Sequence, residues 1–145
     1  MSIEVTKIKT EEALTALFNI RQEVFVIEQN VAPDEEYDEF EETSTHFLAL
    51  YEGIPAGTAR WRYTDNGVKL ERFAVLKEYR GYGVGKALVE AVIDDIAREE
   101  AAKGQLLYMH AQIPAVPLYE QFNFEKDGEK FSECNMDHYK MKRYL

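Results

Sequence analysis

The stretch YRGYGVGKALVE, residues 79–90, carries glycines at 81, 83 and 85 and then runs straight into a helical pattern. Glycine gives up more backbone entropy on folding than any other residue, so such a cluster needs a cause. A strand, a glycine-rich turn and a helix together make an anion site, because the turn's amides and the helix N-terminus aim positive charge at one spot. Upstream, residues 68–75 read as a strand. Downstream, Val84, Ala87, Leu88, Ala91, Val92 and Ile96 form an apolar helical stripe. Arg98 and Lys103 suit the end of that helix and Gly104 its cap.

Three phosphate-binding patterns compete for this turn. A Walker loop needs four residues between its first glycine and Gly-Lys, followed by Ser or Thr. Here three residues separate Gly81 from Gly85-Lys86, and Ala87 has no hydroxyl for a metal ion. A dinucleotide fingerprint needs glycine where Lys86 stands and expects to open a βαβ unit. The pattern that fits is R-x-x-G-x-G, residues 80–85.

Composition bounds the rest. The 145 residues suit one domain, 1–145, and 46% hydrophobic content suits a packed core. Seventeen Lys and Arg against 27 Asp and Glu give a net charge of −10, which argues against nucleic acid as a partner and is compatible with a cationic small substrate. A single cysteine, Cys134, excludes an internal disulfide and a CxxC metal site, and the three histidines lack metal-ligand spacing. No 18-residue apolar run or leader pattern occurs. The expectation is a soluble cytoplasmic protein without metal or membrane partner. Oligomeric state is not legible.

Along the chain, Ile3, Val5 and Ile8 alternate as a strand, and Leu14, Leu17, Phe18, Arg21, Val24, Phe25 and Glu28 recur at helical spacing. Pro33 and the acidic run 34–42 read as a loop with solvated charges. Strands are expected at 46–51, 58–63 and 68–75, an antiparallel meander with turns at Glu52-Gly53 and Asp65-Asn66-Gly67, where Asn-Gly tolerates positive φ. A strand at 106–110, a short helix at about 115–122 with Pro117 in its first turn, and strands near 124–131 and 136–144 complete a mixed α/β order.

With these residues in view, the chain resembles the GNAT superfamily of acetyl-CoA-dependent N-acetyltransferases, whose pyrophosphate loop has the form of residues 80–85. The resemblance extends to Leu70-Glu71-Arg72-Phe73-Ala74-Val75 before the loop and to Leu118-Tyr119-Glu120-Gln121-Phe122-Asn123-Phe124 after it. Asn123 stands where glycine is common, and asparagine is the next best residue for a left-handed conformation. Val24-Phe25-Val26-Ile27-Glu28-Gln29, His46-Phe47-Leu48-Ala49 and Ala111-Gln112 with Tyr119 look like the ElaA/YjcF-like branch. The resemblance implies a single-domain fold with a mixed sheet of about seven strands flanked by helices. Splayed parallel strands would form the acetyl-CoA cleft. Phe73, Ala74 and Val75 would meet the pantetheine arm, Phe73 and Val75 through main-chain bonds. Arg80, Gly81, Tyr82, Gly83, Val84, Gly85 and Lys86 would cradle the pyrophosphate, and Gln112 would also face acetyl-CoA.

The implied reaction moves acetyl from acetyl-CoA to a primary amine by direct attack. An alkyl ammonium of pKa ~10.4 must lose a proton, and the leaving thiolate must gain one. Tyr119 matches the family's position for the acid; its alternative is packing beside Phe122. Glu71 is the candidate base, with His46, His110 and His138 as alternatives. Arg21, Glu28, Arg60 and His138 are candidates for the acceptor pocket, with surface or salt-bridge roles as the alternative. Cys134 is a candidate acyl nucleophile only if a partner activates it, and an inert thiol is the reading to prefer. The acceptor itself stays open. A non-catalytic acyl-CoA-binding module is the rival reading, and a nucleotide-phosphate binder a distant third.

Overall fold

The computed structural model describes residues 2–145. The chain runs β1 (Ile3–Lys7), α1 (Glu11–Arg21), a π-helical turn (Gln22–Glu28), α2 (Pro33–Glu36), β2 (Thr45–Tyr51), β3 (Ile54–Thr64), β4 (Gly67–Val75), α3 (Val84–Ala97), β5 (Leu107–Gln112), α4 (Val116–Glu120), β6 (Glu125–Lys126), β7 (Phe131–Glu133) and β8 (Met136–Arg143). The eight strands form one mixed sheet in the order β1-β2-β3-β4-β5-β8-β6, with β7 also paired to β8. Strands β1 to β4 are antiparallel neighbours, and β4 runs parallel to β5.

Both faces of the sheet are covered. On β2, Phe47 and Ala49 point into one core and Leu48 into the other, as period-two alternation requires. The first core lies under α3, whose Val84, Leu88, Val89, Val92 and Ile96 are buried. The second lies under α1 and the π-turn, with Leu17, Ile20, Val24 and Phe25. Thr10 caps α1 by accepting from the Ala13 amide at 3.2 Å, and Glu11 and Glu12 complement its N-terminal dipole.

Two expectations about helix ends need correction. The helix begun at Glu11 widens at Gln22 into a π-turn, closed by Gln29 N–H to Val24 C=O at 3.1 Å. The widening lets adjacent Val24 and Phe25 both reach the core and leaves Glu28 and Gln29 at its outer end. Helix α3 ends at Ala97, so Gly104 terminates a separate single 3-10 turn (Glu100–Ala102) rather than α3. The β3–β4 turn falls where the sequence puts it, at Asp65 and Asn66, with the positive φ of the Asn-Gly pair on Gly67 (137°).

Gly67 is required for a second reason. A Cβ there would lie 2.3 Å from the Leu106 carbonyl oxygen, which accepts from the Val68 amide where β4 and β5 meet. Gly67→Ala should therefore destabilise the fold by about 1–3 kcal/mol, through this overlap and the strained φ. Thermal or urea unfolding checks this, and an unchanged midpoint would mean that the close approach does not fix that end of the cleft.

Candidate functional site

The parallel pair β4–β5 is hydrogen-bonded only at its start, where Val68 faces Leu107 and Lys69 faces Tyr108. Beyond Lys69 the strands part. The cause is a bulge in β4: the β3 register shifts between Thr58 and Arg60, and Arg72 adopts φ 59°, a left-handed conformation rare for such a residue. Before the bulge the Val68 amide faces β5; after it the Leu76 amide faces β3, donating to Ala56 at 2.9 Å. Alternation then turns the main-chain groups of Phe73 and Val75 toward the gap. Ala74 turns its own toward β3 and its side chain into the core, so the expectation that it faces a ligand is corrected.

At the end of this gap lies the glycine turn. Gly81 (φ 86°) and Gly83 (φ 93°) are left-handed and fold the chain into the N-terminus of α3. That terminus has no side-chain cap and no acidic residue in its first turn. No backbone N–H from 81–86 has an acceptor among the described residues. Gly85 is helical, and a Cβ there would make ordinary contacts, with Leu118 at 3.5 Å. Its lack of a side chain therefore serves no need of the chain's own packing. A row of free amides at an uncapped helix N-terminus fits a phosphate group.

Other residues of the turn divide. Val84 is buried in the core, while Tyr82 and Lys86 are exposed. The Arg80 guanidinium is already engaged: Nε donates to the Val75 carbonyl at 2.9 Å, and Nη1 and Nη2 grip Glu28 at 2.6 and 2.7 Å. This hydrogen bonding holds the Glu28 carboxyl below its usual range. Glu28 thus sits beside the turn and does not line the cavity expected to take the acceptor.

That cavity, of about 120 Å³, opens between β4 and β5. Phe73, Met109, His110, Gln112, Tyr119 and His138 are among the residues around it. Tyr119 is 6% exposed and packs edge-on against Phe73 and Phe124, with centroids 5.7 and 6.5 Å apart, rather than on Phe122. Its hydroxyl has no hydrogen-bond partner among the described residues, and burial pushes its pKa above the ordinary phenol value. Gln112 reaches across to Gln29 through paired amide bonds of 3.0 and 3.3 Å, tying the end of β5 to the π-turn.

Arg21 and Arg60 are not in the cavity. They are 1% and 0% exposed and organise the acidic run, whose charges are therefore not simply solvated. Arg21 holds Glu36 at 2.5 Å and both oxygens of Glu41 at 2.8 Å. Arg60 holds Asp38 at 2.6 and 3.0 Å, Glu41 at 2.8 Å and Glu71 at 2.9 Å. Burial alone would raise Asp38, but the Arg60 hydrogen bond holds its carboxyl down at about 2. Glu71 borders the cavity but is clamped by Arg60, Arg62 and Lys69. Against the effect of burial, Arg60 and the others hold it below the usual carboxylate range. A carboxylate so stabilised has little appetite for a proton, which counts against it as the base.

The histidines separate in the same way. His46 lies outside the cavity, with Nε2 2.7 Å from the Glu41 carbonyl, and burial lowers its pKa. His138 borders the cavity, stacks on Phe131 and places Nδ1 2.8 Å from the Met136 carbonyl. His110 also borders it, with Nδ1 2.8 Å from Glu133 Oε2. Cys134 forms the β7–β8 turn with Asn135, both at positive φ. Burial pushes its thiol up to about 11, which leaves it protonated and removes the nucleophile reading. No cluster with metal-binding composition occurs among the described residues, and none of their helices is long and apolar enough to cross a membrane.

Comparison with known proteins places this geometry in context. The family profile described as "Acetyltransferase (GNAT) domain" matches residues 5–145. An "Uncharacterized N-acetyltransferase YjcF" of Bacillus subtilis is 42% identical over 92% of this chain and 94% of its own. The crystal structure of Escherichia coli ElaA superposes with TM-score 0.86 at 26% identity, covering 98% of this chain and 99% of that one. An acyl-CoA N-acyltransferase from Pseudomonas aeruginosa superposes with TM-score 0.85, also at 26% identity and with the same coverage.

Proposed function

Since this chain belongs to the GNAT acetyltransferase family, in its ElaA/YjcF branch, we propose that it moves acetyl from acetyl-CoA to a primary amine by direct attack within a ternary complex. The observation that carries the reading is the gap between β4 and β5, which ends on the free amides of 81–86. Pantetheine lies in that gap as an additional strand, bonded to the main chain of Phe73 and Val75. The pyrophosphate takes the amides of the glycine turn, with Arg80 and Lys86 beside it. The thioester then reaches the cavity bordered by Tyr119.

There the amine nitrogen bonds to the acetyl carbon and the carbon–sulfur bond breaks. The Tyr119 hydroxyl, unpartnered and kept protonated by burial, donates to the departing sulfur. A phenol whose pKa is raised is a reluctant acid, so its contribution is a hydrogen bond that strengthens as charge gathers on sulfur. The N-acetyltransferase designation of YjcF supports an amine as acceptor. Incubation with acetyl-CoA and a panel of primary amines, scored by free CoA, tests the reading. Amine-dependent CoA release is expected. Tight CoA binding with no release for any amine would favour a binding module instead.

A further inference from the structure

We propose that His110, oriented by Glu133, is the base that removes the proton from the acceptor ammonium. This rests on the amine-acetylation reading and supplies the one proton acceptor it lacks. Glu133 Oε2 lies 2.8 Å from His110 Nδ1, and the hydrogen bond to His110 holds the Glu133 carboxyl below its usual range. An ionised carboxylate can only accept, so the neutral ring carries its hydrogen on Nδ1 and leaves the Nε2 lone pair bare. Nε2 has no partner among the described residues. Phe131 and Tyr108 flank the ring, with centroids at 5.2 and 6.2 Å.

Other charges facing the pair do not compete for Nε2. Lys69 and His138 act on Glu133 from β4 and β8. Lys140, opposite His110 on β8, lies over the Tyr108 ring and 3.5 Å from Asp127. Glu71 is held by its cations, and Arg72 by Glu36 and Asp38. Glu35 accepts from the Cys134 thiol at 3.2 Å. Among the cavity histidines, His110 alone combines a carboxylate on one nitrogen with an open second nitrogen.

In the step itself one ammonium proton passes to Nε2, the freed nitrogen lone pair bonds to the acetyl carbon and the carbon–sulfur bond breaks; the second proton, shed by the nitrogen as it becomes an amide, passes through water to the departing sulfur, whose charge the Tyr119 hydroxyl meets with its hydrogen bond. The His110 side chain is 28% exposed, so the imidazolium returns its proton to water. Glu133 never touches the substrate and acts as a positioning residue.

The test compares the parent, His110→Gln and Glu133→Gln for CoA release with acetyl-CoA and butane-1,4-diamine, lysine amide and glucosamine, between pH 6.5 and 10. For His110→Gln, turnover at pH 7 should fall roughly 10²–10³-fold. With butane-1,4-diamine the deficit should then shrink as the pH approaches the ionisation of an alkyl ammonium near ~10.4, where free amine no longer needs a base. Glu133→Gln should lower turnover about tenfold and let the His110 ring carry its hydrogen on either nitrogen, read by nitrogen-15 NMR, because the new amide can donate to Nδ1 as well as accept from it. Nitrogen-15 NMR of the ligand-free parent should show hydrogen on Nδ1 of His110. A deficit in His110→Gln that is constant with pH, a variant as active as the parent at pH 7, or hydrogen on Nε2 would overturn the assignment while leaving the acetyltransferase reading standing. No release by the parent with any of the three amines would overturn both.

Discussion

Replacing Tyr119 by phenylalanine is expected to lower the turnover number by roughly 10²–10³-fold while leaving the protein folded. The ring is held by Phe73 and Phe124, and phenylalanine keeps both edge-on contacts. The hydroxyl bonds to no other described residue, so its removal leaves no buried donor or acceptor stranded. Stability should therefore be unchanged or slightly raised. Affinity for CoA should change by less than about tenfold, since in the proposed site backbone groups would hold the cofactor and only its sulfur would face the lost proton. The measurement is turnover and thermal midpoint on one preparation with the best acceptor found. A stable variant retaining more than about half of the parent's turnover would remove Tyr119 from the mechanism.

Arg60→Met should destabilise the fold by about 3–5 kcal/mol, a fall in thermal midpoint on the order of 10 °C. Arg60 is fully buried, and Asp38, Glu41 and Glu71 converge on its guanidinium. Removing it leaves those carboxylates facing one another with less countercharge. The difference should also depend on pH. Asp38, Glu41 and Glu71 all have folded values depressed below their ordinary ones. Depressed carboxyls add stability that is fully present above the unfolded values, ~3.9 for Asp and ~4.3 for Glu, and is lost as pH falls through the folded values. For Asp38 that loss extends down to about 2. The parent and Arg60→Met should thus differ most near neutrality and converge in that acid window. A gap that stays constant from pH 7 to pH 2 would mean that Arg60 stabilises by packing and not by charge.

The elements that were legible in the sequence are those with strong local signals. The glycine turn, the α3 stripe and the meander each follow from spacing that a short window contains, and the structure has all three. The bulge at Arg72 had no such signal, because an arginine in a left-handed conformation is dictated by the surrounding sheet and not by its own preference. The buried charge network was misread for a related reason. Arg21 sits on the inward helical stripe and Arg60 in the middle of an apolar strand, so each needed a buried partner. The acidic run supplies it, but the pairing spans 15 to 22 residues of sequence, beyond any window of local reading. That was the available clue: a charge at an inward position implies a counter-charge elsewhere. Glu133 was missed because it reaches His110 across a hairpin, from 23 residues away in the chain.

The most direct test of the central claim is amide NMR of the protein titrated with CoA. Saturable shifts are expected at the N–H groups of 81–86 and at Phe73 and Val75, with Ala74, whose main chain faces β3, much less affected. Pantetheine alone should shift Phe73 and Val75 and leave the glycine turn unmoved, because it lacks the pyrophosphate. Saturable binding that leaves both the turn and β4 undisturbed, or no binding of CoA at millimolar concentration, would contradict the claim.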